Sequence, residues 1–167
     1  MRAPTFARKL ALAALLATVA FGAGAADNFI LDQNGCKIIN PMSRPDETVT
    51  WSGACKDGFA EGKGVVQFYL SGIADEKYEG DMKGGYADGT GTLMMLDGGR
   101  YEGQWSRSKQ EGEGSYFAPD GSIYKGAWKN GKPHGFGSYR TPEGQVTRGE
   151  WRDGKFVRET EDNPNKT

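Results

Sequence analysis

The sequence is poor in the side chains that usually carry chemistry. It holds one histidine and two cysteines in 167 residues. That excludes a metal centre of several histidines and a zinc site of four cysteines, and it leaves little from which to build histidine-based catalysis. No GxSxG element and no P-loop is present. Beyond residue 26 no stretch is long and apolar enough to cross a bilayer. Against these absences stand 26 glycines, more than twice the roughly 7% of an average protein. Eight Phe, seven Tyr and four Trp accompany them. Glycine is poor in helix interiors and aromatic residues favour sheets, so the pair argues against a helical bundle. The aromatic content also argues against disorder.

Residues 1–26 read as a secretory signal peptide. Arg2, Arg8 and Lys9 precede the apolar run Leu10 to Phe21, and Gly22-Ala23-Gly24-Ala25-Ala26 supplies small residues for cleavage before Asp27. The competing reading is an N-terminal membrane anchor. No cysteine directly follows the apolar run, so a lipoprotein anchor is not indicated. Removing the segment leaves 18 Lys and Arg against 22 Asp and Glu, a net charge of −4. Such a chain is ill suited to nucleic acid or to anionic lipid headgroups, both of which call for clustered basic residues. Export places the mature chain in a periplasmic or extracellular, oxidising setting, where two cysteines form one disulfide, here Cys36–Cys55. The alternatives are a redox-active pair, against which the lack of a CxxC spacing counts, and two free thiols.

A 23-residue period organises the rest. Tyr78, Tyr101, Tyr124 and Thr147 open successive units. Two positions on lie Gly80, Gly103, Gly126 and Gly149, and four positions on lie Met82, Trp105, Trp128 and Trp151. Later in each unit come Gly89/Gly91, Gly112/Gly114 and Gly135/Gly137, followed by Leu93, Tyr116 and Tyr139. An earlier unit opens at Trp51, with Gly53, Cys55, Gly58, Gly62, Gly64 and Val66 in register, and runs four residues longer. The last unit is cut short near Val157.

Each unit reads as a β-hairpin. In Tyr124-Lys-Gly-Ala-Trp128 the period of two puts Tyr124, Gly126 and Trp128 on one face. Asn130-Gly131 then signals a tight turn with positive φ, matched by Asp57-Gly58, Gly84-Gly85 and Asp153-Gly154. Ser108 breaks that pattern, so a looser turn is expected there. Thr141-Pro142-Glu143-Gly144 and Ala118-Pro119-Asp120-Gly121 connect one unit to the next. One face of the hairpins alternates glycine with Tyr and Trp, so that rings can lie across bare backbone. The other carries Glu79, Asp81, Glu102, Gln104, Lys125, Glu150 and Arg152 and is solvated. A lone hairpin is marginal in water, so stacked units must share the aromatic stripe and need caps at the ends of the array.

The run Tyr124-Lys-Gly-Ala-Trp-Lys-Asn-Gly-Lys-Pro-His-Gly-Phe-Gly resembles the MORN repeat, whose pattern is roughly YxGxWxxGxxxGxG. The unit from Tyr101 fits except at Ser108; Met82, Cys55 and Thr147 mark the departures elsewhere. The resemblance covers residues 51–157. Gly35-Cys-Lys together with Trp51-Ser-Gly-Ala-Cys55 is also similar to the opening of exported bacterial MORN proteins, which implies that these cysteines pair. The resemblance implies an all-β fold, an elongated, twisted, single-layer antiparallel sheet of stacked hairpins. It further implies a scaffold or protein-interaction role, sometimes with self-association or lipid binding, and assigns no reaction. Residues 27–50 are expected to form an irregular hairpin capping the first unit, fastened by the disulfide, and residues 158–167 a disordered tail.

Three functions compete. The aromatic stripe of Tyr78, Tyr101, Trp105, Tyr116, Tyr124, Trp128, Tyr139 and Trp151 is the candidate binding face of an exported scaffold that docks an envelope protein or a second copy. The same rings suit a glycan, by stacking, or a lipid. They also suit the plainer role of holding neighbouring units together. For an enzyme there is little: the acidic residues recur with the repeat, as a solvated face does, and the glycine-rich turns join strands, not a strand to a helix, so they cradle no phosphate. His134 shares its position with Asp88 and Glu111 and reads as a solvated residue at a strand start. No catalytic residue, cofactor or metal ligand is assigned.

Overall fold

The computed structural model describes residues 28–160, so the expected signal peptide and residues 161–167 of the tail lie outside the described residues. Thirteen strands make one open sheet. The first three are β1 (Phe29–Leu31), β2 (Lys37–Ile39) and β3 (Glu47–Trp51). They are followed by β4 (Ala54–Lys56), β5 (Phe59–Leu70), β6 (Ile73–Lys83) and β7 (Tyr86–Met94). The remainder are β8 (Arg100–Ser106), β9 (Lys109–Phe117), β10 (Ile123–Lys129), β11 (Lys132–Arg140), β12 (Val146–Arg152) and β13 (Lys155–Glu159). From β5 to β13 each strand pairs antiparallel with the next in sequence order, as a meander of hairpins must. Two parallel contacts join the cap to the array among the described residues, Lys37 with Phe59 and the isolated bridge Asp32 with Val49.

From β6 onward two kinds of connection alternate. Within a unit the turn has two residues, both at positive φ, as at Asn130 (50°) and Gly131 (79°). This backbone twist matches that of the flanking strands. The looser turn expected at Ser108 does not occur. Arg107 and Ser108 also sit at positive φ between the paired residues Ser106 and Lys109. Their neighbours hold them there: Ser108 N–H donates to Ala87 O (2.9 Å), Arg107 N–H to Asp88 Oδ2 (3.2 Å), and Ala87 N–H to Ser108 Oγ (3.2 Å).

From β7 onward the connection between units is a five-residue loop with a fixed bonding pattern. Met95 N–H donates to Gly99 O and Gly98 N–H to Met95 O, and the same pair of bonds recurs at Ala118–Ser122 and Thr141–Gln145. It recurs again at Asp32–Cys36, so the cap hairpin is closed by a copy of the inter-unit loop.

The cap is shorter than expected. Residues 47–50 belong to β3, which pairs with β5 from Glu47↔Leu70 to Trp51↔Val66 and so is part of the first unit. Burying Val49 and Trp51 on one face of that strand decides the matter. At the other end, β13 runs to Glu159, two residues into the segment expected to be tail. The extra length of the first unit goes into β5 and β6, joined by the tight turn Ser71-Gly72. Cys36 and Cys55 are bonded, their Cα atoms 5.8 Å apart, with Cys36 buried and Cys55 exposed. Cys55 occupies the strand position that Trp holds in later units. Trp51 itself holds the place of the opening tyrosine and lies over Gly53 and Gly64, as Tyr101 lies over Gly103 and Gly114.

Candidate functional site

The register turns the repeat into straight rows across the sheet. Val66, Tyr78, Leu93, Tyr101, Tyr116, Tyr124 and Tyr139 are cross-strand neighbours in that order. Beside them runs an unbroken row of glycine, from Gly64 through Gly80, Gly91, Gly103, Gly114, Gly126 and Gly137 to Gly149. Each opening tyrosine folds over this row. Tyr101 lies above Gly103 and Gly114, and a Cβ on Gly103 would stand 2.6 Å from the Tyr101 hydroxyl. The hydroxyl continues along its own strand and donates to Gln104 O (3.0 Å); Tyr78 and Tyr124 donate likewise to Asp81 O and Ala127 O (2.9 Å each). Burial pushes the Tyr101 phenol up to about 12, with Glu113 and Glu111 adding to the effect. The same cause raises Tyr78, helped by Asp81 and Asp88, and Tyr124, helped by Glu113.

Trp wedges between these tyrosines. Trp105 meets Tyr78 and Tyr101 edge to face at 5.4 and 5.1 Å, and Trp128 meets Tyr101 and Tyr124 at 5.0 and 5.3 Å. Trp151 continues the zigzag against Tyr124, Tyr139 and Phe156. Each such contact contributes about 0.5–1.5 kcal/mol beyond the area it buries. The indole N–H of Trp105 donates to Gly91 O (3.0 Å) and that of Trp128 to Gly114 O (3.2 Å), so each ring is bonded to the unit before its own. The equivalent N–H of Trp151 is buried without a partner among the described residues.

The eight rings of the candidate face are therefore brought together, and most of them form a core. Tyr78, Tyr101, Trp105, Tyr124 and Trp128 are buried. With Trp105 at 7% and Trp128 at 8% exposure, neither offers a flat platform to a sugar. Tyr116, Tyr139 and Trp151 remain half-buried and keep an accessible edge. The opposite face carries an open trough of about 710 Å³ over the glycine backbone, walled by Lys63, Glu79, Thr92, Glu102 and Gln104. An apolar groove of about 230 Å³ lies where the cap meets the aromatic face.

One set of residues has a role that the sequence reading missed. In three successive tight turns the first residue donates its N–H to an acid of the preceding unit: Gly84 to Glu61 (2.9 Å), Arg107 to Asp88 (3.2 Å) and Asn130 to Glu111 (2.9 Å). Alongside, the second turn residue bonds the preceding unit's backbone, as in Gly131 to Gln110 O (3.0 Å) and Gly154 to Pro133 O (2.9 Å). His134 holds the acid's position at the last junction. It is not simply solvated: Nδ1 is buried and lies 3.6 Å from Asp153 Oδ1. The 23-residue recurrence of Asp88 and Glu111 was the available signal. No group of three or more His, Cys, Asp or Glu among the described residues is arranged to hold a metal ion.

The MORN repeat model matches residues 78–100, 101–123, 124–146 and 148–157, in step with the hairpins just described. The chain belongs to the MORN-repeat family. The unit at Trp51 lies outside the matched residues, as its departures at Trp51 and Cys55 lead one to expect. No curated protein matches the chain. MORN repeats are in general interaction modules for proteins or membranes, and are generally non-catalytic. In this MORN array the Tyr, Trp and Gly of the motif make the spine, and the half-buried Tyr116, Tyr139 and Trp151 are the rings that keep an accessible edge.

Proposed function

We propose that this protein is an exported, non-enzymatic scaffold that binds an envelope protein, or a second copy of itself, through the accessible part of its aromatic and glycine face. One observation carries the reading. The buried zigzag makes a rigid support, and it leaves Tyr116, Tyr139 and Trp151 half-exposed, continuing into exposed Phe156 on β13. Aromatic residues with an accessible edge on a rigid backbone are what interaction hot spots are built from. The basic, apolar and small-residue order of residues 1–26 supports export, and the Cys36–Cys55 bond fits an oxidising compartment. Binding of glycan or lipid by the same stripe is the weaker alternative, because the two central indoles are covered and the mature charge is −4.

The test is cross-linked capture of the tagged mature protein from its own cell envelope, beside the variants Tyr139→Ser and Phe156→Ser. Substituting the buried Tyr124 or Trp128 would instead collapse the array. A partner or self-cross-link that disappears with either variant supports the reading. A cross-link indifferent to both overturns it. Under the proposal, peptidoglycan fragments leave the tryptophan fluorescence unchanged, whereas a saturable change moves the assignment to glycan.

A further inference from the structure

The groove at the cap junction combines two properties that specify an occupant. Its lining is mostly apolar: Ile38, Val66, Tyr78 and Trp105 contribute to it, with Asn40, Ser108 and Gln110 among its polar members, and Met42, 86% exposed, also lines it. At about 230 Å³ it is smaller than the roughly 300–1,000 Å³ of clefts that hold drug-sized molecules, so it suits one side chain of a larger partner. An unbranched methionine in the lining can adapt to the shape of what enters.

The second property is charge. Glu76 lines the same groove, half-buried, and its carboxylate accepts no hydrogen bond from a described residue. Arg44 acts on Glu76 through space, but its guanidinium is already paired with both Glu47 and Asp75. Burial raises the Glu76 carboxyl from its ordinary value, with Asp75 adding to the effect and Arg44 opposing it. An apolar pocket whose wall carries an acid with no direct ion pair is complementary to an apolar side chain carried beside a cation.

We propose that this groove docks an extended segment of a partner protein in which a Leu, Ile, Met or Phe side chain enters the pocket and a neighbouring Lys or Arg pairs with Glu76. This rests on the interaction-module reading but uses a site apart from Tyr139, Trp151 and Phe156, so the two fail separately. The probe is a set of short capped, fluorescein-labelled peptides with a central Leu or Phe flanked by Lys or Arg, alongside counterparts flanked by Gln or Glu. Anisotropy titrations are run against the whole mature protein, Glu76→Gln, Glu76→Lys and Met42→Asp. We expect the basic peptides to bind at least about tenfold more tightly than their Glu counterparts. Glu76→Gln should remove that preference, Glu76→Lys should reverse it, and Met42→Asp should weaken all apolar peptides. In nitrogen-resolved NMR the indole signal of Trp105 should move and that of Trp151 should not. Equal binding of basic and neutral peptides, a preference that survives Glu76→Gln, or no binding by about 1 mM, would each overturn the assignment.

Discussion

A methyl group has nowhere to go beneath the tyrosine rings. On Gly114 it would run into the Tyr101 hydroxyl, at a position where φ itself is unremarkable. Gly121 is the contrasting case: its φ is +89° and a methyl there would meet nothing within 4 Å. Gly114→Ala should therefore cost about 1–3 kcal/mol through overpacking, and Gly121→Ala only about 1 kcal/mol through its backbone. Thermal unfolding of the two variants checks this; equal losses would mean that the rings do not press on the glycine row. The phenols give a second test at this scale. An unfolded tyrosine loses its proton near 10, whereas Tyr101 holds its own to about 12, and Tyr78 and Tyr124 are also raised. Above pH 10 the unfolded chain thus binds fewer protons than the folded one. The stability these tyrosines contribute is complete below pH 10 and is lost as pH climbs through 12. Melting temperature should fall across that window, with phenolate absorbance appearing as the sheet unfolds. The sequence made these rings legible as one stripe, because period-two spacing assigns a face. It also offered bare glycine for the rings to lie across, but left open whether the stripe was binding face or packing between units; the burial of Tyr78, Tyr101, Trp105, Tyr124 and Trp128 makes those five packing.

At the scale of the hairpin, the joints between units use alternative chemistry. Glu111 accepts the N–H of Asn130, whose side chain is neutral, while His134 faces Asp153, whose side chain is not. A carboxylate at 134 would meet Asp153 with like charge. His134→Glu should therefore destabilise by a few tenths of a kcal/mol, up to about 1, at these partly exposed groups. The double variant His134→Glu with Asp153→Asn should recover the loss by rebuilding the Glu111–Asn130 joint. A double-mutant cycle read by thermal unfolding measures the coupling, and strict additivity would reject it. Turns were the most readable elements where Asn130-Gly131 or Asp57-Gly58 announced them. Arg107-Ser108 misled because residue preference describes an isolated turn, and this one is held from outside by Ala87 and Asp88. The boundary at residue 50 misled for a related reason: Thr48, Val49 and Thr50 pair with β5 ahead of Trp51, beyond the reach of the repeat pattern.

Across the whole molecule the two ends of the array differ. The first is covered by the cap and closed by a bond across 19 positions; the last exposes β13. A loop of that size contributes about 3 kcal/mol on the chain-entropy model. Cys36→Ser and Cys55→Ser should each lower the unfolding temperature by a similar amount, and the pair together should lower it no further. Additive losses would show that the cysteines act separately.

The meander has a mechanical consequence. Because from β5 to β13 neighbours in the sheet are also neighbours in the chain, tension applied to the two ends of that stretch opens one ladder at a time from an edge and never shears several at once. Under load the array should pay out in small, even steps. Each unit of 23 residues would release about 76–83 Å of contour, reckoned at the extended length per residue. The residues enclosed by the Cys36–Cys55 bond would stay behind until a reductant frees them.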